Sequence, residues 1–177
     1  MESIKRTITN FQAANFYKLS QTKEFGLISF KHPKEYLWVQ KNVKNMKELY
    51  EFLAEAEKKA IQPSVEYVEF ESERIAAISP YLVKDEQGNV FQDENGGVKP
   101  IDGMEKTAEV IFKGLIEKHR PAIEEHNAKL MAWTDFLNSD CETQIILIPF
   151  DDVTLPEEGF NKNKFDILSL MLDDSEV

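Results

Sequence analysis

Seven prolines, at positions 33, 63, 80, 100, 121, 149 and 156, punctuate this chain, and each sits close to where the spacing of its apolar residues changes. Proline has a fixed φ and no amide hydrogen, so it opens or breaks a helix and is excluded from the middle of a sheet. These positions therefore mark element boundaries. Between Pro33 and Pro63, Val39, Val43, Met46, Tyr50, Leu53 and Ala60 recur at steps of three, four and seven, the spacing of one helical stripe, which predicts a helix over 34–60. Glu55 and Lys59 are placed to pair on its exposed face. Pro63 and Pro80 bracket a second helix over 64–79, expected to bury Val68, Ile75 and Ile78.

The longest periodic segment begins at Asp102, where Met104, Ala108, Ile111, Leu115, Ile123, Leu130, Trp133 and Leu137 keep a stripe to about Asn138. Pro121 falls inside it and predicts either a kink near Arg120 or a fresh helix with proline in its first turn. Ile111, Leu115, Leu130, Trp133 and Leu137 are expected to pack against Val43, Met46, Tyr50 and Leu53 of the 34–60 helix. At the amino end, Ile4 and residues 7–9 read as a short strand or arm, and Asn10 as the cap of a helix over 11–21 that buries Phe16 and Leu19. The run FGLISF, 25–30, reads as a strand or ordered loop.

Residues 81–103 differ in kind. They hold four of the seven glycines together with Asp85, Glu86, Asn89, Asp93, Glu94 and Asn95, and read as a small exposed hairpin with turns at KDEQGN and ENGG. QIILIPF, 144–150, is β-rich and apolar, a buried strand that stops at Asp151-Asp152, with Val153 and Leu155 as an irregular extension. Phe165, Ile167, Leu168 and Leu172 describe a short closing helix, and DDSEV should fray. The expected class is α+β, mainly helical, with antiparallel long helices, a small hairpin and a short C-terminal β element. A basic arm and helix over 1–33 precede a helical α+β domain over 34–177.

Composition narrows the function classes. Hydrophobic residues at 42%, with twelve Phe, argue for a packed core, and a mean hydropathy of -0.43 argues against a membrane protein. No apolar run follows Lys5 and Arg6, and none elsewhere reaches spanning length, so neither secretion nor membrane insertion is expected. One cysteine, Cys141, excludes an internal disulfide framework and a metal site built mainly from thiolates, and fits a reducing cytoplasm.

Charge is uneven. Residues 1–50 carry nine Lys and Arg against four acids, while the remaining residues carry twelve against twenty-eight. In the basic head, Lys31, Lys34, Lys41, Lys44 and Lys47 alternate with Phe30, Tyr36 and Trp38, a composition suited to phosphate contacts and base stacking and equally to a solvated helix face over an aromatic core. The acidic body admits a second reading, carboxylates that copy a phosphate pattern.

Chemical motifs are sparse. His119 and His126 lie seven residues apart with Glu124 and Glu125 beside them, a spacing that favours solvated helix histidines over metal ligands, and His32 is far away in sequence. DEQGNVFQDENGG has oxygen donors without the alternation of a calcium loop. Asp151 and Asp152 stand where a strand end can hold a carboxylate at a cleft, the pattern of metal-dependent hydrolases, although adjacent strand residues face opposite ways. Cys141 lacks a CxxC partner, and GxSxG, P-loop and GxGxxG patterns are absent. No catalytic, cofactor-binding or metal-ligating residue is therefore assigned.

The segment from Glu73 to Pro156, with ERIAAISPYLVKDEQGNV followed by EKTAEVIFKGLIEKHRPAIEEHNAKLMAWTDFLNSDCETQIILIPFDDVTLP, resembles small uncharacterised proteins of tailed bacteriophages in its helix, acidic DxxGN turn, long helix and short β run near Leu-Pro. The resemblance implies a noncatalytic phage accessory or virion-associated protein without cofactor, in the host cytoplasm or the virion. Its partner would be a protein, either a phage assembly component or a second copy, with nucleic acid at the basic N-terminal region as a further option and no membrane. The alternatives are an acidic inhibitor that mimics nucleic acid on a host enzyme and a metal-dependent hydrolase using Asp151 or Asp152.

Overall fold

The computed structural model describes residues 4–91 and 97–173, and the protein is a mainly helical α+β fold. The described elements are β1 (Lys5–Thr9), α1 (Asn10–Ser20), β2 (Ser29–Phe30), α2 (Pro33–Ala60), α3 (Val65–Ile78), α4 (Glu105–Lys118), α5 (Arg120–Asn138), β3 (Asp140–Ile146), β4 (Ile148–Pro149), β5 (Val153–Thr154), α6 (Lys162–Leu168) and β6 (Leu172–Asp173). Its contacts divide into two compact units, Met1–Ala60 with Ala132–Val177, and Ile61–Met131. The expected boundary at 33/34 does not coincide with this division. Residues 5–9 pair with the distant 140–146 segment, and that long-range ladder binds the amino end into the first unit.

In the first unit, β1 runs antiparallel to β3 with Lys5 opposite Ile146 and Thr9 opposite Asp140. Thr9 then caps α1: its hydroxyl accepts from the Gln12 amide while the Gln12 side chain accepts from the Thr9 amide. Asn10, the expected cap, is instead buried and turns its amide to the Phe136 carbonyl at 2.9 Å and the Ser139 hydroxyl at 3.2 Å. A side chain one position earlier already satisfied the helix start, which released Asn10 for a tertiary bond. Phe16 and Leu19 are buried as the periodicity requires.

Helix α2 packs against α1 and β3. Its buried residues are Glu35, Val39, Asn42, Met46 and Leu53, so two polar residues share the apolar stripe, and Ala60 at its end is exposed. Glu55 pairs with Lys58 at 2.8 Å rather than with Lys59. FGLISF combines both expected forms, a 3-10 turn at Phe25–Leu27 and then β2, which pairs antiparallel with β5. The 144–150 run supplies the end of β3 and β4, with Ile145 and Ile148 fully buried. β4 pairs in parallel with β6, and Arg6 donates to the Ser169, Leu170 and Leu172 carbonyls at 3.2–3.4 Å, fastening the closing segment to β1.

In the second unit, α3 pairs with α4. Ser64 caps α3 by accepting from the Tyr67 amide. The buried side chain of α3 is Phe70, whereas the expected core residues Val68 and Ile75 are exposed and Ile78 is half-buried. The heavier aromatic face, Tyr67 with Phe70, turned inward against the histidines of the following helices and left the aliphatic stripe outside. α4 ends at Lys118 and α5 begins at Arg120, with Pro121 in its first turn, so the long stripe is two helices. The stripe expected to pack on α2 is accordingly divided between the two units. Ile111 and Leu115 lie on α4, which packs on α3 in the second unit, and Leu130 is 39% exposed. Trp133 and Leu137 do meet Tyr50 and Leu53 around an apolar cleft in the first unit.

The hairpin segment is present as backbone pairings around 81–101. Leu82 bridges Pro100, Lys84 bridges Val90, and the Ile101 amide donates to the Tyr81 carbonyl at 2.9 Å. ENGG falls mainly, and the final DSEV wholly, outside the described residues. Among the described residues, no helix is long and apolar enough to cross a membrane.

Candidate functional site

The strongest concentration of chemistry lies where α2 begins, beside the β2–β5 pair. Pro33 opens α2 with a preset φ, and Glu35 in the first turn accepts from the His32 amide at 2.8 Å, the back half of a capping box. The β2–β5 register, Ser29 opposite Thr154 and Phe30 opposite Val153, continues into a bond from the Lys31 amide to the Asp152 carbonyl at 2.9 Å. Sequence-distant His32 and Asp152 are thereby brought to one place. A ring nitrogen of His32 and one carboxylate oxygen each from Glu35 and Asp152 lie within 4.8 Å of one another.

Burial makes this group unusual. Glu35 is 0% exposed, and its Oε1 has no hydrogen-bond partner among the described residues. Buried polar atoms are ordinarily satisfied, and an ionised carboxylate out of water is expensive unless paired. Lys31 places its Nζ 3.4 Å from Asp152 Oδ1 on a side chain that is 64% exposed. Burial acts to raise the Asp152 carboxyl, but the polar groups beside it, Glu35, Lys31 and His32, outweigh it and hold the group below its usual range. Two ionised carboxylates this close repel one another, and a cation between them relieves that repulsion.

Of the expected strand-end acids, Asp152 enters this cluster and Asp151 is exposed on the 3-10 turn Phe150–Asp152. The turn, rather than a strand end, separates their directions. His119 and His126 are each half-buried, and each meets a different partner. In the second unit, His119 caps the end of α4 with its Nε2 3.0 Å from Glu73 Oε2, and His126 stacks on Tyr67 at 3.9 Å between ring centres. Their sequence spacing lost its meaning when the helix broke between them. Glu124 and Glu125 are exposed, and Glu125 pairs with Lys129 at 2.7 Å.

In the acidic turn, Asp85 Oδ1 accepts from the Gln87 and Asn89 amides, each at 2.9 Å, and Gly88 takes φ +85° to close it. The bond from Asn89 foremost holds the Asp85 carboxyl below its ordinary range. Asp85 therefore serves the turn. Burial pushes the Cys141 thiol up, and its Sγ donates to the Thr143 carbonyl, so the thiol lacks the activated environment of a nucleophile. Cys141 lines a cleft of about 690 Å³ with Asn10, Glu48, Phe52 and Asp140. The lysines at 31, 34, 41, 44 and 47 are all exposed, with Lys34 5.6 Å over the Trp38 ring and Lys47 3.8 Å from Glu51.

Sequence reasoning missed Glu35 and set His32 aside. The signal available was His32-Pro33-Lys34-Glu35 itself, a helix-start pattern that places an acid back against the residue before the proline. No protein-family model, no curated protein and no solved structure matches the chain.

Proposed function

We propose that this chain is a noncatalytic accessory protein, of the tailed-phage kind its 73–156 segment resembles, that works by binding another protein through α3. The observation that carries this reading is the aliphatic stripe Val65, Val68 and Ile75, which is 50–71% exposed along one side of that helix. Residues at these steps share a helix face, and covering a valine or isoleucine completely is worth about 1.5–3 kcal/mol. Such a stripe on a helix is the usual form of a contact surface. Glu66 and Glu69 are exposed beside it. The fitting partner is a protein with an apolar groove rimmed by lysine or arginine, met in the host cytoplasm or in the virion. A net charge of -11 disfavours a second copy of the chain at low salt.

Nucleic-acid mimicry is the weaker reading. Glu55, Glu73, Glu109, Glu117 and Glu125 each pair with a nearby lysine or arginine, which breaks the single-sign array that mimicry requires.

The test is a stringent pulldown from the source's own proteins, followed by titration of the purified partner against the parent chain and V68D/I75D. Both positions are exposed, so the variant should melt like the parent and lose the partner. An apolar contact keeps its affinity from low to moderate salt, whereas a carboxylate array loses it. Unchanged binding by the variant, or no partner for the parent, removes the proposal.

A further inference from the structure

We infer that His32, Glu35 and Asp152 form a binding site for one divalent transition-metal ion. Three independent features of the junction support this. The ligand atoms already lie within 4.8 Å of one another, and a zinc-like ion with bonds of about 2.0–2.1 Å needs them about 3.3 Å apart, a closure within reach of side-chain rotation. Backbone pairing fixes where they start: β2 with β5 places Asp152, and the helix cap places Glu35 against His32. Finally, Glu35 is wholly buried with Oε1 lacking a partner, so the site contains an acceptor that the described residues leave unused.

The donor set selects the ion. Two carboxylates and an imidazole suit zinc, manganese or iron, whereas magnesium prefers an all-oxygen shell and keeps its water. Three protein ligands leave the remaining position to water. His32 is exposed, so an ion can enter from solvent without unfolding the junction. Lys31 competes for Asp152 from 3.4 Å, and its largely exposed side chain can swing away when a divalent ion arrives. The site thus exchanges a single ammonium for a doubly charged ion between two carboxylates.

The cluster belongs to the first unit and α3 to the second, and each has its own test. The full chain, stripped with a chelator, is titrated with Zn²⁺ by calorimetry beside an identical Mg²⁺ titration, and its melting temperature is read with and without Zn²⁺. Saturable uptake of a single Zn²⁺ per chain with a raised melting temperature is expected, with no comparable heat from Mg²⁺. His32→Ala, at an exposed position that should fold normally, and Asp152→Asn should each weaken Zn²⁺ at least about tenfold, the lower end of what even outer-shell changes do to metal sites. Lys31→Met should bind Zn²⁺ more tightly than the parent. If Glu35→Gln does not fold, the other three variants still decide the matter. Absence of saturable Zn²⁺ binding overturns the site, as does binding indifferent to His32→Ala and Asp152→Asn, and equal uptake of Mg²⁺ overturns the role of the imidazole.

Discussion

The side chain of Asn42 and the backbone of Ile146 exchange two hydrogen bonds, Asn42 Nδ2 donating to the Ile146 carbonyl and the Ile146 amide donating to Asn42 Oδ1, both at 2.9 Å. Asn42 is 0% exposed. β3 has β1 along one edge, and at Ile146 its other edge meets a helix, which has no backbone groups to offer. The carboxamide supplies a donor and an acceptor in the arrangement of a peptide group and closes that edge.

Asn42→Ala should therefore leave a buried amide and a buried carbonyl unpaired, at about 1–3 kcal/mol for each. The urea midpoint should fall markedly, and exchange of the Ile146 amide hydrogen should accelerate. Asn42→Asp keeps the shape but loses the donor and buries a charge, and should be at least as damaging. An Asn42→Ala protein with parental stability would show that water satisfies the strand edge.

Phe70 and Val68 test which face of α3 is core. Phe70 is buried and Val68 is exposed. Phe70→Ala should cost about 3–5 kcal/mol, against about 0.5 kcal/mol or less for Val68→Ala. Hydrogen exchange along 65–78 reads both without assuming that the whole chain unfolds in one step.

Glu73 accepts from Lys118 Nζ at 2.6 Å and stands 3.0 Å from His119 Nε2, and these bonds, Lys118 first, hold its carboxyl below its ordinary 4.5. A depressed folded value stabilises the native state at pH above the unfolded value, and that stabilisation disappears as the pH falls through the folded one. Glu73→Gln should thus melt below the parent at neutral pH, with the gap closing on acidification below 4.5. The pair is partly exposed, so salt should narrow the gap as well.

Cys141 is 5% exposed, and burial pushes its thiol up. A disulfide reagent should leave it unmodified in the native protein and react with one thiol per chain in denaturant. Rapid native labelling would mean that β3 opens readily.

The sequence by itself determined the local elements. Periodicity located the 34–60 helix to within a residue of its start at Pro33, QIILIPF announced the buried β segment, and Phe16 and Leu19 pointed inward as their spacing required. These features depend on neighbours a few residues away, so a linear pattern contains them. Tertiary structure decided which stripe of α3 became core, because Tyr67 found His126 on α5 and Phe70 found His119 at the end of α4, each more than forty residues ahead. It also decided that Asn42 and Glu35, polar residues on an apolar helix face, would be buried, since Ile146, which bonds Asn42, and Asp152, which lies near Glu35, arrive only when β3 and β5 fold back. Periodicity records whether a residue faces the core and is silent about which distant group meets it there. The His32, Glu35 and Asp152 cluster is therefore a product of strand register, formed by segments that share no pattern in the chain.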